Sequence, residues 1–148
     1  MTWKPHVTVA AVLEEHGKFL LVEELIDGKI VLNQPAGHLE ANESFLKAVI
    51  RETEEETATV FQPEYITGLY RWILPEKDRT YVRLCFTGKI TQTLDDQPLD
   101  SDIIRTCWLS YEEITEQKNQ LRSPLVLECI DDYRAGKRFP LELLKDLE

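Results

Sequence analysis

No stretch of this chain reaches the roughly 18 consecutive apolar residues that a membrane-spanning helix needs, and the opening Met1-Thr2-Trp3-Lys4-Pro5-His6 lacks the long apolar core of a secretory signal. A cytoplasmic location is therefore expected. Cysteine is scarce: Cys85, Cys107 and Cys129 are odd in number, far apart and set in apolar runs, with no Cys-x-x-Cys pair. That excludes a disulfide framework and a cysteine zinc site, and predicts buried free thiols. Positive charge is also in deficit, 17 Lys+Arg against 27 Asp+Glu, for a formal charge of −10. Such a surface repels polyanions and argues against nonspecific nucleic-acid binding. A small anionic substrate is not excluded, because a bound cation can reverse the local field. What remains is 148 residues, 43% hydrophobic and 30% charged, which predicts one globular domain over residues 1–148.

The acidic excess is concentrated. Between Gly37 and Thr59 run Gly37-His38-Leu39-Glu40-Ala41-Asn42-Glu43 and, after seven more residues, Arg51-Glu52-Thr53-Glu54-Glu55-Glu56-Thr57-Ala58-Thr59. On a helix Glu52, Glu55 and Glu56 share one face, where like charges repel by roughly 0.2–0.5 kcal/mol a pair. A solvated face gains nothing from that crowding. A hard divalent cation, which prefers oxygen ligands, would account for it. Glu54 and Glu40 read as surface residues.

Around this stretch the pattern predicts a mixed sheet with helices against it. His6–Leu13 and Lys18–Glu24 read as strands joined in a hairpin across Glu14-Glu15-His16-Gly17. Lys29–Leu32 follows as a short strand. Ser44, with Asn42 as competitor, caps a helix whose Phe45, Leu46, Val49, Ile50 and Thr53 face the core. The helix ends at Thr57-Ala58-Thr59, and Pro63 bars its continuation. Tyr65–Leu74 and Thr80–Ile90 are long strands about a Pro75–Asp78 loop, and 91–102 is a polar surface loop. Ile103–Ser110 is a strand, and Ser110 with Glu113 forms a capping box for a helix Tyr111–Thr115. Ser123-Pro124 opens a helix Leu125–Arg134, which Gly136 stops. The tail Lys137–Glu148 packs through Phe139, Leu141, Leu143 and Leu144.

The spacing Gly37…Glu43…Arg51-Glu52…Glu55-Glu56 resembles the Nudix box, Gly-x5-Glu-x7-Arg-Glu-U-x-Glu-Glu-x-Gly-U with U aliphatic, at six fixed positions over twenty residues. Thr53 and Thr59 stand where the pattern has aliphatic residues, and Ala58 where it has glycine. Ala58 would then take a left-handed conformation, at a cost of about 1 kcal/mol. The strand order around the box is similar too, so the resemblance implies a Nudix α/β (α+β) fold, a mixed sheet sandwiched between helices. Lys4–Ala10, Asn33–Ala41, Asp100-Ser101-Asp102-Ile103 and Leu121–Val126 further resemble one group of that family, the NudJ-type phosphatases. That resemblance implies an enzyme dependent on Mg²⁺, or Mn²⁺, releasing orthophosphate from nucleoside di- and triphosphates, thiamine diphosphate or hydroxymethylpyrimidine diphosphate. Alternatives are a pyrophosphohydrolase, told apart by its product, and a nucleotide-binding Nudix module without turnover.

Phosphoanhydride hydrolysis needs charge neutralised on phosphate oxygens and a water held in line. The resemblance implies Glu55, Glu56 and the Gly37 carbonyl as metal ligands and Glu52 as ligand or general base. Arg51 would orient Glu52 by charge-assisted hydrogen bonds, and Glu43 would brace the loop. A late acid, Asp102 or Asp100, would be a further ligand or base, against the reading of a solvated loop. His38, Arg71 and Arg83 are candidate substrate contacts, with Arg79, Lys77 and Arg122 behind them; for the arginines the alternative is a sheet surface. Trp72, Tyr70 and Tyr81 suit cross-strand packing better than stacking on a substrate ring. The partner is a small phosphorylated molecule, neither nucleic acid nor membrane, and the chain a monomer or homodimer.

Overall fold

β1 (His6–Val12) is buried along most of its length because it serves two cores. Val9, Ala11 and Leu13 enter one with Leu20, Val49, Phe61 and Phe86, whereas Ala10 and Val12 enter the other with Phe19, Leu21, Val126 and Ile130. The strand period of two sends alternate side chains to opposite faces, so a nearly continuous apolar run marks a strand covered on both sides. The computed structural model describes residues 2–147.

The other strands are β2 (Glu14–Glu15), β3 (Lys18–Ile26), β4 (Lys29–Asn33), β5 (Ala36–His38), β6 (Thr59–Leu74), β7 (Arg79–Thr93), β8 (Ile103–Ser110) and β9 (Phe139–Pro140). The helices are α1 (Phe45–Thr57), α2 (Tyr111–Glu116) and α3 (Leu125–Arg134). One sheet has the order β5-β1-β7-β6-β9 and the other joins β2, β3, β4 and β8. Among the strand pairs of the described residues β1 and β7 run parallel, in register Val9 to Leu84, and the others are antiparallel. The expected mixed α/β architecture is present, with α1 on the first core and α3 on the second.

The expected β1–β3 hairpin is not. β1 pairs with β5 and β7, and β3 with β2, β4 and β8. The tight turn is real, with His16 at φ 54° and Gly17 at φ 78°, but it closes only the two-residue β2 onto β3. Turn residues report a local reversal; they do not say which sheet the preceding strand has joined. β6 starts at Thr59, before Pro63 rather than after it, and its pairing with β7 shifts register next to that proline. Such a bulge is where a strand tolerates a missing N–H. β7 likewise runs to Thr93, so the acidic loop is shorter than expected.

The caps follow the predicted chemistry. Ser44 Oγ accepts from Lys47 N, and Ala58 sits in the left-handed region at φ 54°. Ser110 and Glu113 form the reciprocal capping box. Ser123 Oγ accepts from Leu125 N at 3.2 Å, and Gly136 at φ 84° ends α3. In the tail, Leu141 and Leu144 pack on the first core, while Phe139 and Leu143, expected to pack, are exposed; Glu148 lies outside the described residues. Cys85 and Cys129 are buried free thiols and Cys107 is half-buried.

Candidate active site

Arg51 organises the acidic stretch. From the middle of α1 its Nε and Nη2 grip both oxygens of Glu43 at 2.6 and 3.0 Å. Its Nη1 donates to Glu52 at 2.9 Å and Glu55 at 3.2 Å, and Nη2 to the His38 carbonyl at 3.2 Å. Glu40, exposed, adds an ion pair at 3.4 Å. One guanidinium thus ties the Gly37–Glu43 loop to the helix and partly offsets four carboxylates, by the bidentate geometry that arginine supplies. Glu43 also accepts from Glu40 N, so it braces the loop as its position suggested.

The last turn of α1 places a further acid. Helix ends leave carbonyls without intrahelical donors. Here Glu54 O accepts from Ala58 N and Gln97 Nε2, Glu55 O from Asp100 N at 3.0 Å, and Ala58 O from Leu94 N. The loop between β7 and β8 is laced to the helix end, and carboxylate oxygens of Glu52, Glu55 and Asp100 come within 4.8 Å of one another. Asp100, not Asp102, joins the group. Asp102 is exposed, and its carbonyl accepts from Leu25 N.

Glu56 lies deeper, where its Oε1 accepts from Ala36 N at 3.0 Å. Burial pushes its pKa up to about 9, against the Ala36 N–H and with help from the charges of Glu24, Glu52 and Asp100. Burial also raises the Glu52 pKa, opposed by Arg51. Gly37 faces Glu52 so closely that any Cβ there would overlap the carboxyl group. A glycine pressed against the Glu52 carboxyl, with hard oxygen donors and one cation around it, fits a divalent ion such as Mg²⁺.

Beside the carboxylates opens a cleft of about 400 Å³, lined by Gly37, His38, Glu52 and Glu56. Arg83, Arg122 and Ser123 line it too, as do Trp72, Leu74, Arg79, Lys77 and Tyr81. Trp72 and Tyr81 stack on each other with centroids 5.5 Å apart, the cross-strand packing expected of them, and also face the cleft. Tyr70 instead donates to Asp132 at 2.6 Å. His38 Nε2 lies 3.2 Å from His6 Nδ1, and burial, followed by the charges of His6, Arg122, Arg79 and Arg83, lowers its pKa. Arg71 is exposed and does not line the cleft; β6 turns it away from the side that carries Trp72.

Glu24 was invisible in the sequence as a site residue. It is 3% exposed, on β3, and receives Arg122 Nη1 at 2.5 Å and Asn33 Nδ2 at 3.2 Å. A strand buried on both faces gives no phase from which Glu24 could be distinguished from Glu23.

Carboxylates converging beside a cation-lined cleft define a metal-assisted phosphohydrolase site. The NUDIX domain model matches residues 2–129, and the chain belongs to the Nudix hydrolase family. It is 49% identical over 144 residues to Phosphatase NudJ of Escherichia coli strain K12, covering 97% of this chain and 93% of that one. A NUDIX hydrolase from Nitrosomonas europaea superposes with a TM-score of 0.95 at 48% identity, covering 97% of this chain and 98% of that chain. The NUDIX domain of Shewanella oneidensis NrtR, complexed with ADP ribose, shares the fold with a TM-score of 0.72 at 20% identity, over 91% and 90% of the two chains. The family and the phosphatase relative support hydrolysis of phosphoanhydrides by this protein.

Proposed function

We propose that this chain, a single-domain enzyme, is a Mg²⁺-dependent phosphatase that releases orthophosphate from small diphosphates: nucleoside di- and triphosphates, thiamine diphosphate or its hydroxymethylpyrimidine precursor. The observation that carries the reading is the convergence of Glu52, Glu55 and Asp100 beside a cleft that Arg83, Arg122, Arg79 and Lys77 also line. Glu52, Glu55, Glu56 and the Gly37 carbonyl, with Asp100 in place of Asp102, would hold the ion. When bound, it neutralises phosphate oxygens and acidifies a water. Arg51 keeps Glu52 and Glu55 in place. Glu52, raised in pKa by burial and touching both the carboxylate group and the cleft, is suited to take the water's proton. Arg83 and His38 meet the phosphates. Mn²⁺ would serve in place of Mg²⁺. No helix among the described residues is long and apolar enough to cross a membrane, and a cytoplasmic enzyme acting as a monomer or homodimer is the reading we favour.

The test is a panel of these diphosphates assayed for free phosphate with Mg²⁺ and with EDTA. Orthophosphate released only with the ion is expected. Pyrophosphate as product would overturn the phosphatase reading in favour of a pyrophosphohydrolase, and binding without turnover would leave a nucleotide-binding module.

A further inference from the structure

Two hairpin ends project past the strands that support the rest of their sheets, and both line the cleft. Among the described residues β1 pairs with β7 from Tyr81 onward, and β9 meets β6 at Tyr65 and Ile66. Residues 73–80 are therefore a two-stranded arm, with Ile73 opposite Thr80 and Leu74 opposite Arg79 around the tight turn Pro75–Lys77. In the other sheet β8 stays with β3 as far as Glu24, where the register shifts, and one further bond runs from Leu25 N to Asp102 O. Beyond it Ile26 pairs with Lys29 across Asp27 and Gly28, which sit at φ 50° and 78°. Two positive φ values in succession close a tight hairpin. Ile26 lines the cleft from this arm, and Leu74, Lys77 and Arg79 line it from the other.

None of residues 26–29 or 73–80 is buried. A two-stranded hairpin without a packed face is marginally stable by itself, and segments with few buried contacts are the first to open. The two ends are nevertheless tied to each other. Lys77 Nζ lies 3.3 Å from Asp27 Oδ2, with the side chains 47% and 76% exposed. An ion pair that exposed shifts an equilibrium by about two- to fivefold. That is too little to lock the ends together and enough to bias them shut.

We propose that the two hairpin ends are a jaw at the cleft, with Lys77–Asp27 as its catch. The jaw parts to admit a ligand, shuts behind it and sets how fast the ligand leaves. Ile26 and Leu74, half-buried in the cleft lining, give the shut jaw an apolar surface for the organic part of the ligand. The identity of that ligand rests on the hydrolase reading; the tie between the arms does not.

Asp27→Asn tests the catch, because asparagine lacks the charge and tolerates a positive φ as aspartate does. The probe is a fluorescent nucleoside diphosphate with a methylene bridge between its phosphates, bound with Mg²⁺ and chased with the unlabelled compound in stopped flow. Asp27 does not line the cleft. Removing its negative charge would by electrostatics alone slow the release of an anion. The jaw predicts the opposite, release about two- to fivefold faster. In a Lys77→Gln background, where the catch is already broken, Asp27→Asn should no longer speed release. Slower or unchanged release from Asp27→Asn, or the same acceleration in both backgrounds, would overturn the jaw. Hydrogen exchange of the ligand-free protein is the second measurement. Asp27→Asn should speed exchange about two- to fivefold in residues 73–80, which it does not alter, and Lys77→Gln should do the same in residues 26–29. A response confined to the substituted arm would overturn the catch. If the analogue does not bind the parent, the hydrolase reading has failed at this cleft and the exchange measurement alone decides the tie.

Discussion

Replacing Glu56 by glutamine separates what the buried carboxyl costs the fold from what it does in the site. Burial lifts the Glu56 pKa from 4.5 to about 9. Below pH 4.5 the folded and unfolded chains both hold this proton, and no stability depends on it. As pH rises toward 9 the unfolded chain releases it while the folded chain retains it, so the metal-free protein loses stability throughout that window. At about 1.4 kcal/mol per pH unit, the ceiling at pH 8 is about 5 kcal/mol. Glutamine copies the protonated acid in shape and keeps an oxygen for the Ala36 N–H, which lies 3.0 Å from the carboxylate in the parent. Denaturant unfolding in EDTA should therefore find Glu56→Gln close to the parent at pH 5 and more stable by about 2–5 kcal/mol at pH 8. Adding Mg²⁺ should narrow the difference. The parent gains about 2.7 kcal/mol at a hundred times its dissociation constant, whereas the variant gains little and its turnover falls by orders of magnitude. Parallel parent and variant curves from pH 5 to pH 8 would refute the burial argument, and equal turnover would refute the assignment of Glu56 to the site.

Two further substitutions probe the strand that faces this helix and the helix's C-terminal end. Gly37→Ala should lower kcat by about a hundredfold, since the added methyl displaces the Glu52 carboxyl, with little loss in melting temperature; unchanged kcat would show that Glu52 can move without consequence. Ala58→Gly should raise stability by about 1 kcal/mol, read as a higher melting temperature at unchanged activity, because the residue sits at φ 54°; a drop would mean that its buried methyl outweighs the backbone strain.

Where the chemistry is local, the sequence was readable. The Ser44 cap, the Ser110–Glu113 box and the left-handed Ala58 depend on neighbours a few residues away, and sit as their spacing implied; of the three α1 glutamates expected on one face, Glu52 and Glu55 converge while Glu56 turns inward to Ala36 N. Long-range pairing was less readable. The hairpin expected between β1 and β3 failed because a run buried on both faces is equally compatible with either sheet. The choice between Asp100 and Asp102 turned on which backbone N–H finds a free carbonyl at the end of α1, which no side-chain pattern encodes. Arg71 and Arg83 looked alike as strand arginines, but strand pairing buries one beside the cleft and leaves the other exposed outside it. Glu24 needed Arg122, distant in sequence, to be brought alongside before it meant anything.

The guanidinium that holds Glu43, Glu52 and Glu55 together has a bearing on how the protein matures. A cluster of anions this dense would resist assembly until an ion arrived, and the nascent chain would wait, partly formed, on its supply. With a cation already built into the helix, the acidic ridge is assembled by the chain's own collapse. On the function proposed above, a divalent ion would then join carboxylates that Arg51 has already drawn together.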